Sequence, residues 1–252
     1  MVTSMAQFNV LPMAFRLAIA ATIGLPAVAF AADQPTFAEL CAAFQSSTYS
    51  SDGSSFLYSR PYAWQTVEAF MSALDTADCQ TAEQQLAAIE DLRAPQLQTT
   101  YLPDHGLMVD FPVGVDLQTV AIATPNLTAL NLSGHVITDL APITALDRLQ
   151  TLQVANTQLE DISALSAMPR LVALDISYNQ INTIEAVASI PTIRSLNIAY
   201  NPVTDVGPIG EILTPATEQE WQLLDLSGIA IDLETCPVNL GDICENSSEG
   251  DW

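Results

Sequence analysis

A set of aliphatic residues recurs along the second half of the chain at intervals of 22 residues. Each run has the form Leu-x-x-Leu-x-Leu or a close variant, and the runs begin at Leu127, Leu149, Leu171, Ile193 and Trp221. The last run starts 28 residues after the fourth, and an insertion around Pro215 accounts for the six extra residues. Such regular spacing over five units indicates a structure built from stacked repeats.

The alternation within each run predicts a short β-strand. In the first unit, Leu130 and Leu132 fall on one face of the strand, and further aliphatic residues follow from Ile137 onwards. One coil of this kind cannot bury its apolar face alone, whereas stacked coils cover one another. The pattern therefore predicts an α/β solenoid, a right-handed coil of about five repeats over residues 127–233, since repeat units stack in this way.

A polar residue follows each strand at a fixed position in the turn. Asn179 and Asn201 hold this position in the third and fourth units, and His135, Thr157 and Ile229 replace them elsewhere. An asparagine amide can both donate to and accept from backbone groups of a tight turn. Asn179 and Asn201 are therefore predicted to be structural turn residues, and the histidine and threonine to do part of the same work.

With this spacing, the units resemble leucine-rich repeats of the short 22-residue class. The segment "ITDLAPITALDRLQTLQVANTQLEDISALSAMPRL" closely resembles the repeats of secreted bacterial internalins. The resemblance covers about residues 107–233 and implies a helical cap before the repeats and a concave sheet surface that binds another macromolecule. It does not identify the partner, because one repeat scaffold serves many.

The segments outside the repeats are predicted to be a signal peptide and two end regions. Arg16 precedes an apolar run from Leu17 to Val28 that ends in Ala29-Phe30-Ala31. Because a spanning helix needs about 20 apolar residues, residues 1–31 are expected to be a signal peptide cleaved near Ala31, and an uncleaved anchor is the alternative. The mature chain is expected to lack a membrane span and to be secreted, periplasmic or on the cell-envelope exterior.

Residues 32–100 are predicted to be a helical N-terminal region. Amphipathic segments lie in "PTFAELCAAF", from Trp64 to Leu74 and from Thr81 to Leu92, with Thr81 as the cap of the last helix and Gln84 three residues on. Residues 101–126 are expected to form a degenerate first coil. Residues 234–252 are expected to form a C-terminal cap and acidic tail.

The charge of the chain restricts its partners. The sequence has 29 acidic residues, 6 arginines and no lysine, which gives a net charge of −23. Such a surface repels nucleic acid and anionic membranes and favours basic partners or cations, with a weak calcium association among the expectations. Solubility in a salty exterior is the other interpretation of this charge.

Four cysteines follow the signal sequence, which suggests disulfides in an exported protein. Four cysteines allow three pairings. Their closeness in sequence favours one bridge between Cys41 and Cys79 and another between Cys236 and Cys244. The chain has no Cys-x-x-Cys motif, so the sequence does not support a zinc ribbon or a thioredoxin-like site.

The sequence offers little catalytic chemistry. It lacks a Gly-rich phosphate loop, a Gly-x-Ser-x-Gly motif and a His-Glu-x-x-His motif. Of the two histidines, His135 occupies a repeat turn and His105 lies in a predicted loop. We therefore expect no catalytic residues, no metal ligands and no cofactor.

A binding surface is better supported. The strand side chains that point away from the core should form a polar column across the sheet, namely Asn131, Gln153, Asp175, Asn197 and Asp225. Ser177 lies beside this column, and Tyr178 and Tyr200, 22 residues apart, should stack on adjacent coils. Tyrosine is common in binding hot spots, although the rings could equally cover the turns and the polar residues could simply be tolerated.

The predicted function is non-catalytic binding of a protein or peptide outside the cytoplasm, through the concave face of the solenoid. A structural or adhesive envelope component with cation-dependent association is the first alternative. An enzyme with its chemistry in the helical N-terminal region is the second, although no residue there predicts a reaction.

Overall fold

The computed structural model describes residues 35–45, 62–93, 106–111, 114–214, 221–231 and 236–237, without the side chain of Trp64. The chain divides into two units, Met1–Pro35 and Thr36–Trp252, and every element below lies in the second. The predicted signal peptide, His105, Cys244 and the acidic tail lie outside the described residues. Among the helices described, none has both the length and the apolar character needed to cross a bilayer.

One strand from each repeat joins a parallel sheet. Its strands are β1 (Asp91–Arg93), β2 (Leu107–Met108), β3 (Ala129–Asn131), β4 (Thr151–Gln153), β5 (Ala173–Asp175), β6 (Ser195–Asn197) and β7 (Leu223–Asp225). They lie in the order β2-β1-β3-β4-β5-β6-β7. The sequence spacing becomes the sheet register, because Leu130 pairs with Leu152, and then Leu174, Leu196 and Leu224 follow in turn across the sheet. The predicted α/β solenoid is thereby confirmed.

Short helices form the returning side of each coil. Two are 3₁₀ helices (Ala141–Ala145 and Ser163–Ala167), and the next two coils carry short α-helices (Glu185–Ala188 and Gly207–Ile212). An aspartate two residues ahead starts three of these turns. Asp139, Asp161 and Asp205 each accept a 2.8 Å hydrogen bond from the N–H group two residues on. These carboxylates satisfy donors that a helix start leaves without a partner.

The core runs between the sheet and the returning helices. The central leucines of β3 to β6 are buried, as are the helix residues that face them, such as Ile143, Leu165, Val187 and Ile209. The buried residues form one continuous cluster from Phe37 to Ile229. Each coil therefore covers the apolar face of its neighbours, as the repeat pattern predicts.

The described part of the N-terminal region, up to residue 93, contains three helices. They are α1 (Phe37–Gln45), α2 (Ala63–Ala73) and α3 (Cys79–Ala87), and the predicted disulfide joins Cys41 in α1 to Cys79 in α3. Phe37, Phe70 and Phe111 pack edge to face, with centroids 5.8 and 5.4 Å apart. Cys236 is also disulfide-bonded, but its predicted partner is not described, so that pairing stays a prediction.

Two features of the N-terminal region differ from expectation. The helix predicted from Thr81 begins at Cys79, because Asp78 is its cap and accepts a hydrogen bond from the Thr81 N–H at 2.6 Å. The sequence predicts that this helix continues to Leu92. In the structure it ends at Ala87, and the chain then forms β1.

Strand β1 also changes the expected start of the solenoid. It lies directly beside the first repeat, with Leu92 paired with Leu130, whereas β2 lies beyond it at the edge of the sheet. The segment 101–126, expected to form a degenerate first coil, contributes β2 and the helix α4 (Leu117–Ala123). The strand next to the repeats therefore comes from the region predicted to be helical.

Candidate functional site

The polar column lies in register along β3 to β7, but only part of it is open. Asn131 and Gln153 are buried, with 4% and 6% of their surface exposed. Asp175, Asn197 and Asp225 are partly exposed. The first two were predicted to be contact residues, and their burial removes them from the surface that a partner could touch.

The polar column also stabilises the turns that follow the strands. The Oδ1 atoms of Asn131, Asp175, Asn197 and Asp225 each accept a hydrogen bond of 3.0–3.1 Å from the backbone N–H two residues on. Gln153 has a longer side chain, and in its coil the N–H of Ala155 donates to the Ser133 hydroxyl instead. This short local bond is the usual reason for Asp or Asn in such a turn.

Ser177 follows the same logic. Its hydroxyl donates to the Asp175 carboxylate at 2.7 Å, and the residue is buried. Ser177 was predicted to be a contact residue, but its hydroxyl is engaged inside the turn, so its part is to orient Asp175. The open part of the polar column is thus reduced to Asp175, Asn197 and Asp225.

Asn179 and Asn201 hold the turns from inside. Asn179 accepts from the N–H groups of Thr157 and Leu159 at 2.9 and 3.0 Å, and its amide donates to three carbonyls. Asn201 accepts from the Ile181 N–H and also donates to three carbonyls. Each asparagine therefore connects its own coil to the preceding one.

The tyrosine pair is the most prominent exposed feature of this face. Tyr178 and Tyr200 stack with ring centroids 4.4 Å apart and ring planes 16° from parallel. They keep 57% and 42% of their surface exposed. The Tyr200 ring in turn lies over the backbone of Gly228, where the Cβ atom of any larger residue would come within 2.6 Å of the ring. Gly228, Tyr200 and Tyr178 thus form one stack, and the face of Tyr178 that points away from Tyr200 is its outer face.

The backbone beneath these rings is in an unusual conformation. Tyr178 and Tyr200 have φ values of 55° and 56°. The same turn position in the other units holds Gly134, Asn156 and Gly228, which also have positive φ and are the residue types that adopt it at least cost. Bulky residues in this region are outliers that cluster at functional sites. Two tyrosines at this position therefore call for an explanation beyond the turn itself.

The electrostatic surroundings of the pair are acidic. Partial burial, the adjacent Tyr200 with its hydroxyl hydrogen bond, and the charge of Asp225 together raise the pKa of Tyr178 above its ordinary value of 10.0. Its phenol therefore stays neutral at physiological pH. The charge of Asp225 makes the smallest of these contributions.

The arginines of the repeats lie at the amino ends of the strands, and the tyrosines lie at the carboxyl ends. Arg148, Arg170 and Arg194 each come shortly before a strand, whereas the tyrosines come after one. Arg194 and Tyr200 are separated by six residues of extended chain, or roughly 20 Å. Arg93 shares the row of the polar column, but it is ion-paired with Asp91 at 2.6 Å and lies three strands from β5.

The described residues offer no metal centre. They contain no group of three or more His, Cys, Asp and Glu side chains that could hold a metal ion. A hollow of about 450 Å³ on the returning side is lined by Thr138, Asp139, Asp161 and small neighbours, and the two carboxylates there are engaged in capping the short helices. The expected weak calcium association thus gains no support from this part of the chain.

His135 is a structural residue. It is buried, its Nδ1 lies 3.3 Å from the carbonyl oxygens of Leu132 and Ser133, and its ring packs edge to face on Phe111. It thus bonds the same carbonyls of its own coil that an asparagine amide bonds in later coils. No catalytic arrangement surrounds it among the residues described.

Two family models for leucine-rich repeats match the chain. One covers residues 147–190 with two copies, and the other covers residues 124–140 and 189–207. The chain therefore contains leucine-rich repeats, matched within residues 124–207. Proteins with repeats of this kind generally bind other macromolecules on the extended surface that stacking creates.

Solved structures of similar fold include two internalins of Listeria monocytogenes. Internalin InlF matches with 21% identity and a TM-score of 0.47 over 64% of this chain, and internalin C2 with 23% and 0.44 over 51%. A leucine-rich-repeat protein of Leptospira interrogans matches with 21% and 0.43 over 50%. These matches cover 41%, 52% and 31% of the other chains, so this leucine-rich-repeat protein spans about half their length or less. No curated protein sequence matches the chain.

Proposed function

We propose that this leucine-rich-repeat protein is a non-catalytic module that binds a protein or peptide outside the cytoplasm. The contact surface comprises Tyr178, Tyr200, Asp175, Asn197 and Asp225, which we call the tyrosine site. The observation that carries the proposal is the stacked and exposed tyrosine pair, held at turn positions where glycine or asparagine is the less strained choice. Tyrosine offers a large contact area with few rotatable bonds, which suits a binding hot spot.

Location outside the cytoplasm is part of the same proposal. It rests on the signal-like sequence of residues 1–31 and on the Cys41–Cys79 disulfide, since stable disulfides are rare in reducing compartments. N-terminal sequencing of the protein recovered from its native host tests this part. A mature N-terminus near Ala32 in the exported fraction is expected, and an intact N-terminus in the cytoplasm contradicts it.

A crosslinking experiment tests the binding site. A photoreactive residue at Asn156, which is exposed in the coil next to Tyr178, should crosslink a partner in the native exterior fraction. The same residue at Thr183, exposed on the returning side of a coil, is the matched control and should not. The double variant Tyr178→Ala/Tyr200→Ala should lower the yield from Asn156 at least tenfold while the far-ultraviolet dichroism stays that of the wild type.

Two outcomes contradict the proposal. The first is an equal crosslinking yield from Asn156 and Thr183, because contact would then be unrelated to the tyrosine site. The second is an unchanged yield in the double variant. Gln180→Ala, an exposed substitution in the same turn, serves as the control for general effects of mutation.

A further inference from the structure

We propose that the group bound at the tyrosine site is an arginine side chain of the partner, its guanidinium lying on the outer face of the Tyr178 ring. This inference rests on the proposed function and specifies the chemistry of the partner. A guanidinium is planar, keeps its charge at all physiological pH values and stacks on aromatic faces. An exposed ring beside carboxylates is the kind of surface that such a group fits.

The geometry leaves one aromatic face available. One face of Tyr178 covers Tyr200, yet more than half of the Tyr178 surface remains exposed. Because Gly228, Tyr200 and Tyr178 follow one another along the stack, the other face of Tyr178 lies on the side of Asn156. Asn156 is short, so a planar group can reach that face without displacing a neighbouring ring.

Charge selects a cation over other planar groups. Asp175 lies three residues before Tyr178 on the open row of the sheet, and Asp225 lies on the same row two strands further on, beyond Tyr200. The nearest arginine along the coil is roughly 20 Å away at the other end of the strand, and charges are largely screened beyond about 8 Å at physiological ionic strength. The tyrosine site therefore keeps a negative potential of its own, which repels anionic ligands and attracts a guanidinium.

The test compares two small probes of nearly the same shape. N-acetyl-arginine amide carries the guanidinium, and N-acetyl-citrulline amide replaces it with a neutral urea. The full chain, labelled on its tyrosine rings, is titrated with each probe while the ring resonances are followed by NMR, those of Tyr178 and Tyr200 being assigned from single Phe variants. We expect the arginine probe to shift both resonances with an affinity at least tenfold higher than that of the citrulline probe.

Matched variants separate the ring from the charge. Tyr178→Leu removes the aromatic face and should abolish the preference for arginine, whereas Tyr178→Phe should retain it. Asp225→Asn should weaken arginine binding several-fold without disturbing the turn, since Asn197 makes the same turn bond at the equivalent position. Asp147→Asn makes the same change of charge at the amino end of a strand, away from the tyrosine site, and should leave binding unchanged.

Specific results overturn the inference. Equal binding of the arginine and citrulline probes does so, as does an equal loss in the Asp225→Asn and Asp147→Asn variants, which would indicate attraction by net charge alone. If a partner crosslinks through Asn156 in a tyrosine-dependent way but its contact segment has no arginine, the binding function stands and the inference fails. If no partner crosslinks at all, the proposed function fails first.

Discussion

Replacing Asn179 by alanine should destabilise the solenoid far more than its single amide suggests. The side chain is buried and has six hydrogen-bond partners within reach, three donors at Oδ1 and three carbonyl oxygens at Nδ2, which share the two lone pairs and two protons of the amide. Its position is inside the turn, between the second and third coils. Alanine there removes every one of these bonds.

The structure indicates which of the six bonds matter most. The three carbonyls keep another donor, since Val154 O also accepts from Thr157, Ser177 O from Asn156, and Ile176 O from Asn201. The N–H groups of Thr157 and Leu159 have no other acceptor among the residues described. Leaving a buried donor unsatisfied costs about 1–3 kcal/mol, so we expect Asn179→Ala to lower the free energy of unfolding by about 4 kcal/mol.

Asn201 supplies an internal comparison. Its Oδ1 satisfies one such donor, the Ile181 N–H, and not two. Asn201→Ala should therefore cost about half as much, roughly 2 kcal/mol. The exposed neighbour Gln180 makes no turn bond with its side chain among the hydrogen bonds described, and Gln180→Ala should stay within about 0.5 kcal/mol of the wild type.

Urea unfolding followed by circular dichroism measures these differences. The urea concentration at the midpoint should be highest for Gln180→Ala, lower for Asn201→Ala and lowest for Asn179→Ala. The dependence of the unfolding free energy on urea concentration should stay close to the wild-type value. A cost below about 1 kcal/mol for Asn179→Ala refutes the account of orphaned donors, as does a larger cost at Asn201. Asn179→Asp keeps the acceptor oxygens but sets a carboxylate against three carbonyls, so at neutral pH it should be at least as destabilising as alanine.

Three further predictions concern the N-terminal helices and the tyrosine site. Cys41→Ala/Cys79→Ala opens a loop of 38 residues and should lower the free energy of unfolding by about 4 kcal/mol. Gly228→Ala sets a Cβ 2.6 Å from the Tyr200 ring at a φ of 68° and should shift the ring resonances and weaken partner binding at least tenfold. Asp78→Ala should lower the melting temperature at pH 7; hydrogen bonds from the Thr81 side chain and backbone lower the Asp78 pKa, so its contribution is present above 3.8 and lost as the pH falls through the folded-state value.

Each of these has a matched control. Reduction also opens the Cys236 bridge, so the reduced wild type should match the reduced double cysteine variant, and a clear difference between them would point to packing rather than to loop closure. Gly134→Ala carries a similar backbone penalty in a coil without a tyrosine, so equal effects on the rings would refute the clash at Gly228. Glu68→Ala removes an exposed carboxylate inside α2, and a melting difference that tracks pH as Asp78→Ala does would refute a role for the cap.

Repeat spacing makes most of the fold readable from the sequence. Because parallel strands pair residue by residue, a 22-residue period fixes which leucines meet across the sheet. Strand β1 escapes this reasoning. Leu86, Ile89 and Leu92 follow a three-residue spacing that suits a helix, and only pairing with β3 gives the last of them a strand conformation. Tertiary pairing overrode the local pattern there.

The tyrosine site was readable only in part. The period places Tyr178 above Tyr200, and their stacking was predicted from it. The positive φ was missed, although Gly134, Asn156 and Gly228 at the same turn position carry the signal for it. The burial of Asn131 and Gln153 had no such signal, because strand alternation places them in the same column as the partly exposed Asp175 and Asn197.

The turn of each coil combines two separate demands in adjacent residues. Asn179 points inward and ties its coil to the preceding one, while Tyr178, one residue earlier, points outward and stacks on Tyr200. A left-handed backbone conformation costs a residue other than glycine roughly 1–2 kcal/mol. The hydrogen bonds of the inward asparagine contribute enough free energy to offset this cost. The third and fourth coils have both the asparagine and the tyrosine, so the stacked rings occur in the turns that asparagine hydrogen bonds stabilise.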